Sequence, residues 1–328
     1  VYKQEPPFAV QIELTEGCNL RCPFCGLNGI RGKANDYKAM TSETLTSLIK
    51  QMVELNWNPR IEFAMHGEPT MHPDFVGMVK LVRWLAPKYS IMMTSNGGGL
   101  LKKPGPVELI KQLFDAGLNC LALDDYQHAN IVPKIRKEIG YAGEIAGWLN
   151  RVSIDAVYEY PANKKGNPHG RHHRRSLVFI QAIDTASTGT HSHLNNHAGA
   201  GAPPNDTAQG KRCAKPFREL SVRWDGNVAV CCNDWRGIYK CGNVVKDGLD
   251  KVWNGAAMDA ARRHLVRGER EAIEPCRGCD AKSDRVGLLP DKFGKDEMPK
   301  PNTASRKAAA AAVAGDSYTD AVLRPWEK

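Results

Sequence analysis

Apolar positions in the first 185 residues switch repeatedly between two periods. Phe8–Leu14, Arg60–Met65, Tyr89–Thr94 and Leu118–Leu123 are short, strand-length apolar runs bounded by polar or glycine-rich turns. Between the first two, Thr41–Leu55 sets Leu45, Leu48, Ile49, Met52 and Val53 on one helical face behind a Thr/Ser start. Pro73–Leu85, Pro106–Ala116 and Ala129–Ile139 carry the same helical period, and two further strand-like runs, Val152–Tyr158 and Leu177–Ile183, close the series. Repeated strand–helix units predict an α/β fold with a parallel sheet or barrel, its chemistry at the C-terminal ends of the strands.

The pattern stops at Thr185. From there to Arg212 the only large aliphatic residue is Leu194, which marks a long loop of the kind that serves as a lid or binding loop. Residues 213–280 form a second, cysteine-rich module, and the Pro/Ala/Lys-biased residues 281–328 read as a peripheral or flexible extension. The expected division is therefore 1–184, 185–212, 213–280 and 281–328. No run approaches 18 apolar residues, and the first 17 residues carry acids and prolines, so neither a membrane span nor a secretory signal is expected.

Composition changes this picture in two ways. Ten cysteines in a chain expected in the cytoplasm (a host cytoplasm, were the chain viral) argue for metal or redox chemistry over a disulfide framework. The formal charge of +9 is unevenly spread: residues 1–160 balance 17 basic against 17 acidic side chains, whereas residues 161–280 hold 19 against 12. Its densest stretch, Lys164 to Arg175, is either a solvated loop or an edge that meets phosphates.

The cysteines fall into two sets. Cys18, Cys22 and Cys25 form CxxxCxxC directly after the first strand, and three thiolates there can hold three corners of a four-iron cluster while leaving one iron open. A zinc site would need a fourth ligand, for which His66 and His72 are candidates. Cys213, Cys231, Cys276 and Cys279 supply four thiols, enough for a closed cluster or a zinc ribbon, with Cys232 and Cys241 as substitute ligands. Cys120 is either a core thiol or a hydrogen donor. His191, His193 and His197 read as a substrate-facing or solvated part of the long loop, with a metal site as the alternative.

The first cysteine set, with Phe24 before its last member, resembles the signature of the radical S-adenosylmethionine (SAM) superfamily. Three strand-end segments agree. Met65-His66-Gly67-Glu68-Pro69 is similar to the family's GGEP motif at the SAM amino group, with His66 replacing the first glycine. Thr94-Ser95-Asn96-Gly97 is similar to the TNG segment near the ribose, and Ala122-Leu123-Asp124 to SLD. The second cysteine set resembles the shorter, twitch form of the SPASM domain.

That resemblance implies a partial (βα)6 TIM-like barrel followed by a small auxiliary-cluster domain, within which the residues themselves read as a hairpin over Arg223–Val230 and a helix over Asp250–Leu265. It implies SAM and a [4Fe–4S] cluster on Cys18, Cys22 and Cys25, with Phe24, Gly67, Glu68, Pro69, Ser95, Asn96 and Asp124 on the cofactor. It also implies a second [4Fe–4S] cluster on Cys213, Cys231, Cys276 and Cys279, a one-electron reductant such as flavodoxin or ferredoxin, and an isomerase or oxidoreductase outcome. Cys120 would take the hydrogen-donor role that a cysteine has in some twitch-type epimerases.

The basic second half favours a phosphate-bearing substrate, a nucleotide or a nucleic-acid base, one concrete form being thymidine hypermodification in phage DNA. The alternatives are a twitch-type dehydrogenase or epimerase of an amino sugar, a peptide-modifying enzyme, and, outside enzymes, a zinc-dependent nucleic-acid-binding protein.

Overall fold

A computed structural model describes residues 4–29, 37–141, 152–154, 176–181, 197–201 and 210–281. The Lys164–Arg175 cluster, His191, His193 and the extension from residue 282 lie outside the described residues.

The expected strand–helix alternation is present: β1 (Ala9–Ile12), a small ribbon of β2 (Thr15–Glu16) and β3 (Lys38–Ala39), α1 (Ser42–Glu54), β4 (Arg60–Phe63), α2 (Phe75–Leu85), β5 (Ile91–Ser95), α3 (Pro106–Asp115), β6 (Cys120–Asp125) and α4 (Val132–Glu138). Helix starts follow ordinary capping chemistry: Thr41 accepts from Thr44 N–H ahead of α1, and Asp74 accepts from Gly77 N–H ahead of α2. Leu45, Leu48, Ile49 and Met52 are buried as the helical period requires, but Val53 is exposed.

Two strands depart from the expected series. β7 (Val152–Ile154) runs antiparallel to β8 (Ser176–Gln181) at the edge of the sheet, so it is not another parallel crossover strand. The other end of the sheet is built by the second cysteine module. β9 (Glu219–Val222) lies parallel to β1, with Val10 opposite Leu220, and continues through the antiparallel β10 (Asn227–Ala229) and β11 (Lys240–Asn243). One nine-stranded sheet results, in the order β11-β10-β9-β1-β4-β5-β6-β8-β7. The expected hairpin is present, turning at Gly226 with φ +82°, but its first strand lies before Arg223. The expected 250–265 helix is two, α6 (Leu249–Trp253) and α7 (Ala256–Arg267), separated at Gly255, whose backbone is extended and where a Cβ would strike the Lys251 carbonyl. Short helices α5 (Lys215–Arg218) and α8 (Glu274–Arg277) complete the module.

Alternation along the parallel strands separates two faces. Val10, Ile12, Ile61, Phe63, Ile91, Met93, Leu121, Leu123, Leu177 and Phe179 join the helices in the main core. The other face carries Gln11, Glu62, Thr94, Asp124 and Glu219 beside a small apolar cluster of Ala122, Val178 and Ile180. The polar face is the one available for a site.

Arg83 locks the helical layer. It is buried on α2 and donates to the carbonyls of Gly117, Pro87 and Tyr89 and to Asn119 Oδ1, at 2.6–3.2 Å. Burial lowers its pKa to about 10, still far above neutrality. Arg83→Met orphans these acceptors and is expected to cost about 3 kcal/mol or more, read as a lower urea midpoint for the apoprotein.

Candidate active site

The C-terminal ends of β1, β4, β5 and β6 open onto a cavity of about 240 Å³. Cys18, Cys22 and Cys25 line it together. Their loop is wound tightly: Cys22 O accepts from Cys25 N–H (3.0 Å) and from Asn28 Nδ2 (2.8 Å). Leu20 N–H and Asn96 Nδ2 both approach Cys18 Sγ at 3.3 Å, and His128 Nε2 lies 3.8 Å from Cys22 Sγ. Burial pushes the Cys18 thiol up to about 12, and the Glu68 carboxylate and the other two cysteines add to it. Three thiols so placed ionise together only around a cationic centre, and the N–H groups aimed at sulfur suit that bound state.

Zinc finds no fourth ligand in the two expected histidines. His72 uses both ring nitrogens, on Met40 O (2.9 Å) and Asp74 N–H (3.0 Å). His66 is held by Glu13 Oε1 (3.2 Å) and Cys232 O (2.7 Å). Among the described residues no three His, Cys, Asp or Glu side chains are gathered as ligands of a single ion.

The β4 and β5 ends are tied to one another by Glu68. Its carboxylate accepts from Thr70 N–H (2.9 Å), Thr70 Oγ1 (2.6 Å), Ser95 Oγ (2.5 Å) and Asn96 N–H (2.8 Å). Burial pushes this carboxyl up, and the four donors pull against it. Gly67 is required beside it: φ is +67°, and a Cβ there would strike the Thr15 carbonyl oxygen.

Tyr126, Ile180, His197 and Trp235 form the remaining wall. The Tyr126 ring packs on Phe24 at 6.0 Å. Burial first, then Asp124 and the three cysteines, push its phenol well above the usual range, so it stays a neutral donor. Burial first, then electrostatic interaction with His66, lowers His197 to about 4. Its Nδ1 accepts from Gly26 N–H (3.2 Å), which leaves the proton on Nε2.

The second set of thiols is assembled by α8 and the β9–β10 hairpin. Cys213, Cys231, Cys276 and Cys279 are all buried, and Cys279 N–H donates to Cys276 O (3.1 Å). Burial pushes Cys231 and Cys276 far up, and each is raised further by its neighbours in the set. This too is a donor set that suits a bound cationic centre. Cys232 turns instead to Lys215 Nζ, 3.4 Å away, and Cys241 to Tyr239 O, at 3.9 Å.

A family model for the radical SAM superfamily matches residues 12–139, and one for the SPASM iron–sulfur cluster-binding domain matches residues 213–280. The chain therefore carries a radical SAM domain and a SPASM domain. Its two domains imply SAM and two [4Fe–4S] clusters as cofactors.

This radical SAM chain is similar to the S-adenosyl-L-methionine-dependent 2-deoxy-scyllo-inosamine dehydrogenase of Niallia circulans, at 21% identity over 83% of the chain and 92% of that enzyme. It is similar to GTP 3′,8-cyclase of Mycobacterium marinum at 28% identity over 46% of the chain, less than half (42%) of the cyclase. Among solved structures, BtrN in complex with AdoMet and 2-DOIA matches with a TM-score of 0.64 at 17% identity, covering 87% of this chain and 98% of that one, which establishes the shared fold.

Of the residues expected on the SAM cofactor, Phe24, Gly67, Glu68, Ser95, Asn96 and Asp124 line the cavity with the three cysteines. Pro69 is buried where a short helical turn begins behind Glu68. Cys120 is not in the lining. It opens β6, about 13 Å along the strand from Asp124 at 3.3 Å per residue, and packs against the Ala122 cluster. Tyr126 and Trp235 were not legible as site residues. Tyr126 lies two residues past Asp124 at a strand end, which was the available signal; Trp235 had none.

Proposed function

We propose that this radical SAM enzyme is an oxidoreductase that dehydrogenates an amino-substituted polyol. The observation that carries this reading is the cavity lining: among the described residues it holds Glu68 and Asp124 and no lysine or arginine. A phosphate group would find no counter-charge there, whereas a cationic sulfonium and an amine-bearing polyol suit it. Likeness over nearly the full length of a dehydrogenase of 2-deoxy-scyllo-inosamine supports the same class.

In the described part of the second module several of the basic side chains that favoured a polyanion are committed to the protein itself. Arg223 pairs with Glu13 and Glu16, Lys215 with Glu219, and Arg263 with Asp259. Arg262 donates to the carbonyls of Pro216 and Trp253, and Arg270 to those of Lys211 and Arg212. These side chains hold the module together. These contacts and the likeness to an amino-polyol dehydrogenase favour the amino-sugar alternative over the nucleotide reading.

Cys18, Cys22 and Cys25 would hold the SAM-binding cluster, which supplies the electron for reductive SAM cleavage. Asn96 and the Leu20 amide donate toward Cys18 sulfur. Gly67 lets the backbone close up behind the cofactor, and Glu68 fixes the strand ends that face it. Tyr126, with its neutral hydroxyl, and Asp124 provide a donor and an acceptor for a polyhydroxylated substrate. Trp235 and His197 close the side of the cavity, where a radical must be kept from water.

The test is anaerobic turnover of the reconstituted protein with SAM, a one-electron reductant and 2-deoxy-scyllo-inosamine. The expected result is 5′-deoxyadenosine and oxidised product in equal amounts. Stimulation of 5′-deoxyadenosine formation by GTP or DNA, and not by the amino polyol, would overturn the reading.

A further inference from the structure

Trp235 lies in the loop between Cys231 and β11, and two imidazoles stack on its indole. His66 stacks on it with ring centroids 4.4 Å apart and planes 28° apart, and His197 stacks on it at 4.9 Å and 27°. Its pyrrole side presses on the cysteine loop: a Cβ built on Gly26 would lie 2.9 Å from the indole Cγ and Cδ2 and 3.2 Å from His197 Cβ. Only glycine allows so close an approach, and Gly26 is bonded to Cys25.

On its other side the same residue is wired to the second thiol set. Asp234, bonded to Trp235, donates its N–H to the Cys231 carbonyl at 3.1 Å. His66 Nε2 donates to the Cys232 carbonyl at 2.7 Å, while Nδ1 faces Glu13. His66 and Arg223 hold the Glu13 carboxyl below its ordinary range in spite of burial, so the imidazole meets acceptors at both nitrogens and is fixed in place. Between Cys25 and Cys231 the route is thus Gly26, one van der Waals contact to the indole, Asp234, and one hydrogen bond. Among the described residues the Trp235 indole thereby joins the two cluster loops, beside the hydrogen bond from Gly26 N–H to His197 Nδ1.

We propose that Trp235 is the electronic bridge between the two clusters. Tunnelling decays less steeply through packed atoms and π systems than across a gap, and here the one through-space step is closed by the indole. One electron crosses: the cluster on Cys18, Cys22 and Cys25 loses it, the cluster on Cys213, Cys231, Cys276 and Cys279 gains it, or the reverse, and no proton moves. The His66 at the place where the family's motif has glycine belongs to this arrangement, since it both stacks on the bridge and bonds the loop that carries it.

This inference rests on the cluster-binding domains and not on the substrate, so it is tested without one. The holoprotein, carrying both clusters and no SAM, is photoreduced by a flash, and the two cluster signals are followed by freeze-quench electron paramagnetic resonance. Wild-type protein is expected to show a redistribution phase independent of protein concentration. W235L is expected to lose that phase, leaving only concentration-dependent exchange between molecules, while iron content and the midpoint potentials of both clusters stay at wild-type values. W235F is expected to retain an intermediate rate. A wild-type rate in W235L would overturn the bridge. H197A, which keeps the indole, checks it independently of whether W235L loads its clusters: it is expected to keep the intramolecular phase, and loss of that phase with both clusters loaded would equally overturn the proposal.

Discussion

Replacing Cys22 with alanine abolishes reductive cleavage of SAM: 5′-deoxyadenosine is expected to fall to the level of an enzyme-free control. Cys22 is the most deeply buried of its three thiols, and its carbonyl anchors the loop through Cys25 N–H and Asn28 Nδ2. Those two bonds use the backbone and survive the substitution, so the loop keeps its course while one corner of the cluster site is lost. Two remaining thiols do not retain a four-iron cluster with an open iron. Iron per chain is therefore expected to drop from about eight to about four, since each cubane cluster carries four. The retained four report an intact second module, which separates loss of the cluster from loss of the fold. Full SAM cleavage in C22A would refute the assignment of these cysteines to the cluster.

Much of this site was legible because of where parallel strands put their ends. Motifs that follow β1, β4, β5 and β6 converge on one rim whatever the details of packing, so Cys18, Gly67, Asn96 and Asp124 meet although they span more than a hundred residues of sequence. Periodicity likewise placed α1 to α4 to within a few residues. It failed where the determining contact is remote or a single residue decides. The pairing of β9 with β1 joins residues about two hundred positions apart and leaves no local trace. The break between α6 and α7 falls at one residue, Gly255, whose backbone is extended. The charge count misled for a related reason: a sum over residues 161–280 cannot show that Arg223, Arg262 and Arg270 are turned inward to carbonyls and carboxylates. The stack of His66, Trp235 and His197 draws on three segments whose sequences say nothing about one another.

Cys276→Ala is expected to separate the two halves of the chemistry: SAM is still cleaved, but product per 5′-deoxyadenosine falls toward zero. Cys276 is buried in α8, where its N–H bonds to Ile273 O (2.9 Å) and its carbonyl receives Cys279 N–H (3.1 Å). The turn that presents two of the four thiols is thus held by the backbone and does not need the Cys276 side chain. What is lost is a ligand, and with it the bound centre that offsets the burial raising the thiols of Cys213, Cys231 and Cys276. The first cysteine set is bound to the strand ends through Asn96 and to its own loop through Asn28, and neither contact reaches α8. Iron is again expected to fall from about eight to about four per chain, this time with the SAM-dependent change in the first cluster's paramagnetic signal preserved. Because the second cluster also helps fix the loop that carries Trp235, the variant should clear the cavity of its side wall and raise uncoupled cleavage relative to product. A C276A protein with about four irons and an unchanged ratio of product to 5′-deoxyadenosine would show that the second cluster is dispensable for turnover.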